Sequence, residues 1–124
     1  MPNRPKLLLV EDDAAAALHR TRTLTAAGFA VTEARTVAEG AAAFAERKFH
    51  IVLSDIRLPD GNGYELCRML HGQAPDTPVV LISAAYVDDA ARTTATYAGA
   101  VEFLAEPVPS ATLVERMRHH IGGR

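Results

Sequence analysis

The sequence predicts an α/β protein, a doubly wound parallel sheet with helices on both of its faces. Short apolar runs alternate with longer segments of helical pattern, which gives five strands and five helices. Each segment between strands is also long enough for a right-handed βαβ connection. At 124 residues the chain predicts a single domain over residues 1–124, with residues 1–5 as a flexible lead-in.

The first half of the chain supplies three strands and two helices. Apolar or β-branched runs predict strands over residues 6–10, 29–34 and 50–54. The alanine-rich segment after Asp13 predicts a helix carrying Leu18, Thr21 and Leu24, which Gly28 ends as a left-handed cap. Asp13 is expected to cap this helix rather than bind metal. A capping box formed by residues 36 and 39 predicts a second helix that runs to about residue 48.

The second half continues the alternation. Helices are predicted over residues 64–70 and 87–98, strands over 79–83 and 101–104, and a last helix from residue 109 or 110 to the glycines at 122 and 123. The strand over 79–83 is continuously apolar, which is typical of a parallel strand covered on both faces. The helix over 87–98 has few large apolar residues, so we expect low local stability there. His119 and His120 are predicted to be solvated.

Composition and charge exclude several classes of protein. The formal net charge of −2, from 13 basic and 15 acidic residues, gives no strong field and argues against direct nucleic-acid binding. The single cysteine excludes an internal disulfide and favours a reducing compartment. The polar start and the short first apolar run indicate neither a signal peptide nor a membrane span. We therefore expect a cytoplasmic protein.

Carboxylates follow the first and third predicted strands at the point where each strand ends. Glu11 and Asp12 come directly after the first strand, and Asp55 follows the third. Because the carboxyl ends of parallel strands meet at one edge of a sheet, these acids should lie close together. Such a cluster is costly unless a cation neutralises it, and its oxygen ligands suit Mg²⁺. Asp55 is the candidate reacting group, and Glu11 and Asp12 are the candidate metal ligands.

In their order and spacing, these features resemble the receiver domain of the two-component response-regulator family. The resemblance covers nearly the whole chain and is carried by the acids at 11–13, the segment 55–63, Ser83, Phe103 and Pro107. It implies a flavodoxin-like αβα fold whose strands lie in the order 2-1-3-4-5. It also implies that the face formed by the fourth helix, fifth strand and fifth helix binds an output domain or partner protein, with a homodimer left open.

The resemblance also assigns roles to individual residues. Asp55 would accept a phosphoryl group from a histidine kinase or a histidine phosphotransfer protein. Ser83 would hydrogen-bond a phosphoryl oxygen, and Phe103 would stand at the aromatic switch position. The ligands of Mg²⁺ would be Glu11, Asp12, Asp55 and the backbone carbonyl of Arg57.

Glu106 is where the sequence departs from the family pattern. The family has a lysine before the proline that follows the fifth strand, and its ammonium pairs with a phosphoryl oxygen. A glutamate there reverses the charge, and if Glu106 points inward the pocket holds four acids and no fixed cation. One hypothesis is that Arg57 swings over the pocket and pairs with Glu106, and the alternative is a solvated arginine. By resemblance, the Glu106–Pro107 peptide bond should be cis.

The sequence therefore predicts a phosphoacceptor signalling domain that is not an enzyme. The alternative is a degenerate receiver that binds partners without phosphorylation, a reading that Glu106 favours. A flavodoxin-like cofactor binder would need backbone amides and hydroxyls after the first strand, where this chain has three acids. An aspartate-nucleophile phosphatase usually has a second acid two residues after the nucleophile, where this chain has Arg57.

Overall fold

The computed structural model describes residues 4–84 and 88–122, which form three layers, with a parallel sheet between two layers of helices. The strands of the sheet are β1 (Lys6–Val10), β2 (Ala30–Ala34), β3 (Ile51–Asp55), β4 (Val79–Ser83) and β5 (Glu102–Ala105). The helices are α1 (Ala14–Ala26), α2 (Val37–Glu46), α3 (Gly63–Gln73), α4 (Asp89–Ala98) and α5 (Ser110–His120). The strand order is β2-β1-β3-β4-β5 and every pair is parallel, so the predicted fold is confirmed.

Two apolar cores cover the two faces of the sheet. Alternate residues of a strand point to opposite faces, so Leu7 and Leu9 pack with α1 and α5 while Leu8 and Val10 pack with α2, α3 and α4. The inner strands are consequently buried on both sides, which explains their continuous apolar runs. This arrangement leaves the carboxyl ends of the strands as the edge where polar side chains can gather.

Side-chain caps fix where several helices begin. Asp13 accepts a hydrogen bond from the N–H of Ala16 at 2.8 Å, which confirms it as the cap of α1. Thr36 caps α2 by accepting from the N–H of Glu39 at 2.9 Å. The carboxylate of Glu39, however, accepts from the N–H of Arg35 rather than from that of Thr36, so the predicted capping box is formed only in part. The helix also ends at residue 46, two residues earlier than predicted.

Helix α3 is longer at both ends than predicted. A capping box that the sequence analysis missed joins Asn62 and Glu65: Asn62 Oδ1 accepts from the N–H of Glu65 at 2.9 Å, and Glu65 Oε1 accepts from the N–H of Asn62 at 3.1 Å. These two bonds satisfy N–H groups that would otherwise be unpaired at the start of the helix. The helix therefore begins at Gly63, closer to Asp55 than expected.

The loop between β3 and α3 is more ordered than its glycines and proline indicated. Residues Arg57–Leu58 and Gly61–Asn62 pair as a short antiparallel ladder. Between them, the carboxylate of Asp60 accepts hydrogen bonds from the N–H groups of Val37 at 2.8 Å and Ala38 at 3.0 Å. These bonds hold the pKa of Asp60 below its usual range. The loop is thus attached to the first turn of α2.

Parts of three predictions fall outside the described residues: the lead-in at 1–3, residue 87 of the predicted fourth helix, and the terminal glycine at 123. Within the described residues, α4 begins at Asp89 and Asp88 caps it. Gly99 ends that helix with a φ of 98°, in the left-handed region that favours glycine. The Glu106–Pro107 peptide bond is cis, as predicted. None of the described helices is long and apolar enough to cross a membrane.

An ion-pair cluster attaches α5 to β5. Arg116 Nε donates to both carboxylate oxygens of Glu102, at 2.9 and 3.0 Å, and His120 Nε2 lies 2.6 Å from Glu102 Oε1. The prediction that His120 is solvated is wrong, because only 13% of its side chain is exposed. Burial raises the pKa of Glu102, but hydrogen bonds from His120 and Arg116 outweigh that effect, and the net pKa lies below its usual value.

This cluster predicts an acid-dependent contribution to stability. The folded-state pKa of Glu102 is below its ordinary value of 4.5, so its contribution is complete above that pH and is lost as the pH falls through the folded-state pKa. We expect Glu102→Gln to lower the free energy of unfolding at neutral pH by about 1 kcal/mol and to reduce the loss of stability in acid. Urea unfolding between neutral pH and about pH 3 measures both effects.

The matched control is Glu115→Gln, which changes an exposed carboxylate on α5, the helix that carries Arg116 and His120. It should leave the acid dependence as it is in the wild type. If the Glu102 and Glu115 variants lost stability in parallel as the pH fell, the cluster would not be the source of the effect.

Candidate functional site

Three carboxylates meet at the carboxyl edge of the sheet, as the sequence predicts. Glu11 and Asp12 follow β1, Asp55 ends β3, and the register of these strands pairs Val10 with Ser54. One carboxylate oxygen from each acid lies within 4.8 Å of the others. Glu11 is buried, Asp55 is partly buried and Asp12 is exposed, so the cluster opens to solvent on one side.

Electrostatics at this cluster oppose full ionisation. Burial raises the pKa of Asp55, although the Ile56 N–H, which donates to Oδ1 at 2.7 Å, and the guanidinium of Arg20 act in the opposite direction. Burial also raises the pKa of Glu11, and the charges of Asp55 and Asp12 add to that effect. Both net shifts are upward, which is the response of carboxylates crowded in a partly dry pocket. A divalent cation would relieve this repulsion, and the three oxygen donors fit Mg²⁺.

Arg20 is a component of the site that the sequence analysis missed. It lies on α1, and its side chain is only 4% exposed. Nη1 donates to Glu11 Oε1 and Nη2 donates to Glu106 Oε2, so one guanidinium joins residues that follow β1 and β5. The expectation of four acids without a fixed cation is therefore wrong. Arg20 supplies that cation from the helix.

A sequence signal for Arg20 existed in the periodicity of α1. The residues that α1 buries are Ala17, Arg20 and Leu24, spaced by three and four residues as on one helical face. The sequence analysis had instead grouped Leu18 and Thr21 with Leu24. The structure leaves Leu18 half exposed, because the buried face includes the arginine. A charged residue within an otherwise small and apolar stripe is the feature that identifies a buried ion pair.

The hypothesis that Arg57 pairs with Glu106 is wrong. Among the described residues, the cation paired with Glu106 is Arg20. Arg57 is exposed and lies in the short ladder after β3, which agrees with the alternative of a solvated side chain. The assignment of its backbone carbonyl to the metal stays a prediction.

Ser83 and Phe103 occupy the adjoining strands. Ser83 is the last residue of β4 and is 5% exposed, with Ala105 of β5 as its partner in the parallel register. Phe103 is 8% exposed, so its ring points into the core. The guanidinium carbon of Arg92 on α4 lies 5.7 Å from the centre of this ring, and Arg92 Nη1 donates to the carbonyl of Phe103 at 3.4 Å. The inward ring is thus in contact with α4.

Gly63 allows α3 to begin against the backbone of the acidic site. A Cβ placed on Gly63 would lie 2.3 Å from the carbonyl oxygen of Asp55 and 3.1 Å from the Cα of Ile56. The N–H of Gly63 also donates to the carbonyl of Ile56 at 2.7 Å. Only a residue without a side chain permits this approach, which keeps the end of β3 close to the helix.

Comparisons with known proteins agree on one family. The family model described as the response regulator receiver domain matches residues 7–118. The acid tolerance regulatory protein ActR of Rhizobium meliloti is 34% identical over 114 residues, which cover 89% of this chain and 58% of the relative. The transcriptional regulatory protein CusR of Escherichia coli is 33% identical over 113 residues, which cover 91% of this chain and 49% of the relative. The chain thus spans about half the length of these curated relatives.

Solved structures show the same fold. A CheY-like response regulator receiver domain protein from Methanospirillum hungatei superposes with a TM-score of 0.91 at 28% identity, covering 96% of this chain and 94% of that one. A BeF₃-activated DrrB receiver domain superposes with a TM-score of 0.85 at 29% identity, covering 95% of this chain and 97% of that one. Sequence, fold and acidic edge lead to one conclusion: the chain belongs to the response regulator receiver domain family.

Proposed function

We propose that this chain is a phosphoacceptor signalling domain, not an enzyme, and that Asp55 is the residue that accepts the phosphoryl group. The observation that carries the proposal is the position of Asp55, at the end of β3 and within 4.8 Å of two other carboxylates at an edge open to solvent. Family membership supports the same assignment. The donor would be a histidine kinase or a histidine phosphotransfer protein, met in the cytoplasm, where the single thiol would stay reduced.

The proposed transfer is a displacement at phosphorus. A carboxylate oxygen of Asp55 forms a bond to phosphorus as the bond from phosphorus to the donor's imidazole nitrogen breaks, and that electron pair stays on the imidazole. A carboxylate is a weak nucleophile, so the rate depends on alignment and on charge neutralisation. Bound Mg²⁺ would supply the neutralising charge. The residues that would hold it are Glu11, Asp12, Asp55 and the carbonyl of Arg57.

The proposed output involves β4, α4, β5 and α5. Ser83 would hydrogen-bond a phosphoryl oxygen through its hydroxyl, and Phe103 would respond to that change from its place in β5. The contact of Arg92 with Phe103 supports a link from the ring to α4. The same face exposes Tyr97 and Val101, which are 83% and 48% accessible. It would bind an output domain, a partner protein or a second copy of this chain.

A second candidate function is favoured by the ion pair of Arg20. The guanidinium of Arg20 is paired with Glu11, the buried acid that a bound metal would need as a ligand. Its other donor is paired with Glu106. A receiver whose acidic site is already neutralised in this way would act as a phosphorylation-independent interaction module. The two functions differ in whether Asp55 accepts a phosphoryl group.

Uptake from a small phosphodonor decides between them. Incubation of the wild type with acetyl phosphate and Mg²⁺ should increase its mass by one phosphoryl group, and chelation of the metal should prevent this. Cleavage of the product by hydroxylamine would identify an acyl phosphate. Failure of the wild type to gain mass under conditions in which a functional receiver does so would favour the interaction module.

A further inference from the structure

The Arg20 guanidinium lies between two carboxylates that follow different strands. Its contacts are Glu11 after β1 and Glu106 after β5, whose side chains are 3% and 29% exposed. A buried charge is retained only where it is paired, and removal of one partner leaves a costly unpaired group. The cation is therefore held at the site by carboxylates on both of its sides, and the Glu106 side is the more open to water.

Metal binding would disturb one of these two contacts. Both carboxylate oxygens of Glu11 are already engaged, Oε1 by Arg20 and Oε2 by the N–H of Asp13 at 3.0 Å. A divalent cation bound to Glu11 would lie close to the guanidinium at the same carboxylate, and the two cations would repel each other. The contact with Glu106 is made by the other donor of Arg20, Nη2, and would persist. The Nη1 donor released from Glu11 would then lie beside Asp55, whose carboxylate is in the same 4.8 Å cluster.

We propose that Arg20 is the phosphoryl-binding cation of this receiver: Glu106 anchors one of its donors, while the other moves from Glu11 to a phosphoryl oxygen on Asp55. The inference rests on the proposed function and assigns to α1 the charge that the resemblance places in a lysine after β5. A guanidinium suits this task because its planar fork holds two anions at once, which the point charge of an ammonium does less well. Glu106 is then a positioning residue.

The test measures whether Arg20 and a lysine at position 106 can replace one another. The variants are Arg20→Met, Glu106→Lys, and the two combined, with circular dichroism as the check of folding. Arg22→Met is the matched control, since Arg22 is exposed on the same helix. The readouts are the dissociation constant of Mg²⁺ by calorimetry, the affinity for BeF₃⁻ in the presence of Mg²⁺ by ¹⁹F NMR, and the lifetime of the phosphorylated protein.

Arg20→Met should weaken BeF₃⁻ binding by at least about tenfold, the loss expected for one charge-assisted hydrogen bond. It should also tighten Mg²⁺ binding by roughly tenfold, because Glu11 no longer carries a competing cation. In the background of Glu106→Lys, the same change should weaken BeF₃⁻ binding by less than about threefold, since a lysine is then present. Arg22→Met should change neither affinity.

The inference is overturned if Arg20→Met binds BeF₃⁻ as tightly as the wild type, or if its full loss persists beside a lysine at position 106. Failure of the wild type to bind BeF₃⁻ or to take up phosphoryl would instead contradict the proposed function. Should Arg20→Met not fold, Arg20→Gln carries the test, because it keeps hydrogen-bond donors but removes the charge. It should weaken BeF₃⁻ binding by at least about threefold, and an unchanged affinity would overturn the inference.

Discussion

Asp55→Asn is expected to abolish phosphoryl uptake and, in the absence of metal, to raise the free energy of unfolding near neutral pH by about 1 kcal/mol. The first effect follows because an amide oxygen is not the nucleophile that a carboxylate is. The second follows from electrostatics, because burial raises the folded-state pKa of Asp55 by more than the Ile56 N–H and the guanidinium of Arg20 lower it. Ionised Asp55 therefore destabilises the folded protein, and the neutral amide removes that penalty.

The sign of this effect fixes its pH dependence. The folded-state pKa lies above the ordinary value of 3.8, so the penalty is complete above the folded-state pKa and disappears as the pH falls toward that ordinary value. Urea unfolding in the presence of a chelator, at neutral pH and at about pH 4, should show the gain of the variant at the first pH and little at the second. Saturating Mg²⁺ should remove the gain, since the metal neutralises the wild-type carboxylate.

A suitable control is Asp76→Asn, which changes an exposed acid in the loop before β4. It should alter neither the stability difference nor the uptake of phosphoryl. An Asp55→Asn variant that is less stable than the wild type at neutral pH without metal would show that the carboxylate is not under electrostatic strain. Uptake retained by that variant would place the phosphoacceptor at another residue.

Gly63→Ala is expected to lower the free energy of unfolding by about 3 kcal/mol or more, and to weaken Mg²⁺ binding as well. The new methyl group would lie 2.3 Å from the carbonyl oxygen of Asp55, and the three heavy atoms nearest to it all belong to the backbone. A flexible side chain cannot move aside to relieve this clash. Either α3 or the end of β3 must shift, and a shift of β3 displaces the carboxylate of Asp55.

Helix α3 also provides the control for this substitution. A Cβ on Gly72 would have no heavy atom within 4 Å, and alanine favours helix over glycine by up to about 1 kcal/mol. Gly72→Ala should therefore leave stability unchanged or raise it slightly, with the same Mg²⁺ affinity as the wild type. Equal urea midpoints for the two alanine variants would show that the close approach at Gly63 is not a constraint.

The fold and the acidic edge were accessible from the sequence because both follow from local rules. A buried strand that ends in an acid places that acid at the carboxyl edge, and parallel topology then brings Glu11 and Asp55 together without any detail of side-chain packing. The start of α3 was missed for a smaller reason. Asn62, the cap residue that pairs with Glu65, lay within residues that the glycines and proline marked as loop.

The same rules did not single out Arg20, although its spacing from Ala17 and Leu24 fits one helical face. Its helix is rich in alanine, so few large side chains indicate which face is buried, and successive residues differ in direction by about 100° around the axis. Leu18 and Leu24 predicted that one face of the helix is buried, whereas the structure buries the face that carries Ala17, Arg20 and Leu24. The partner Glu106 is 86 residues away in sequence, so no local spacing connects the two. Such an ion pair is determined by packing of the whole domain.

The cap that Asp60 places on α2 ties the loop after Asp55 to a neighbouring helix. If the loop after Asp55 moved away from α2, the hydrogen bonds that the N–H groups of Val37 and Ala38 donate to Asp60 would break. These N–H groups would then be unpaired at the start of the helix. The lowered pKa of Asp60 keeps that carboxylate charged into mildly acidic conditions, so the attachment does not weaken there. We therefore expect displacement of the backbone that follows Asp55 to be resisted on the side of α2.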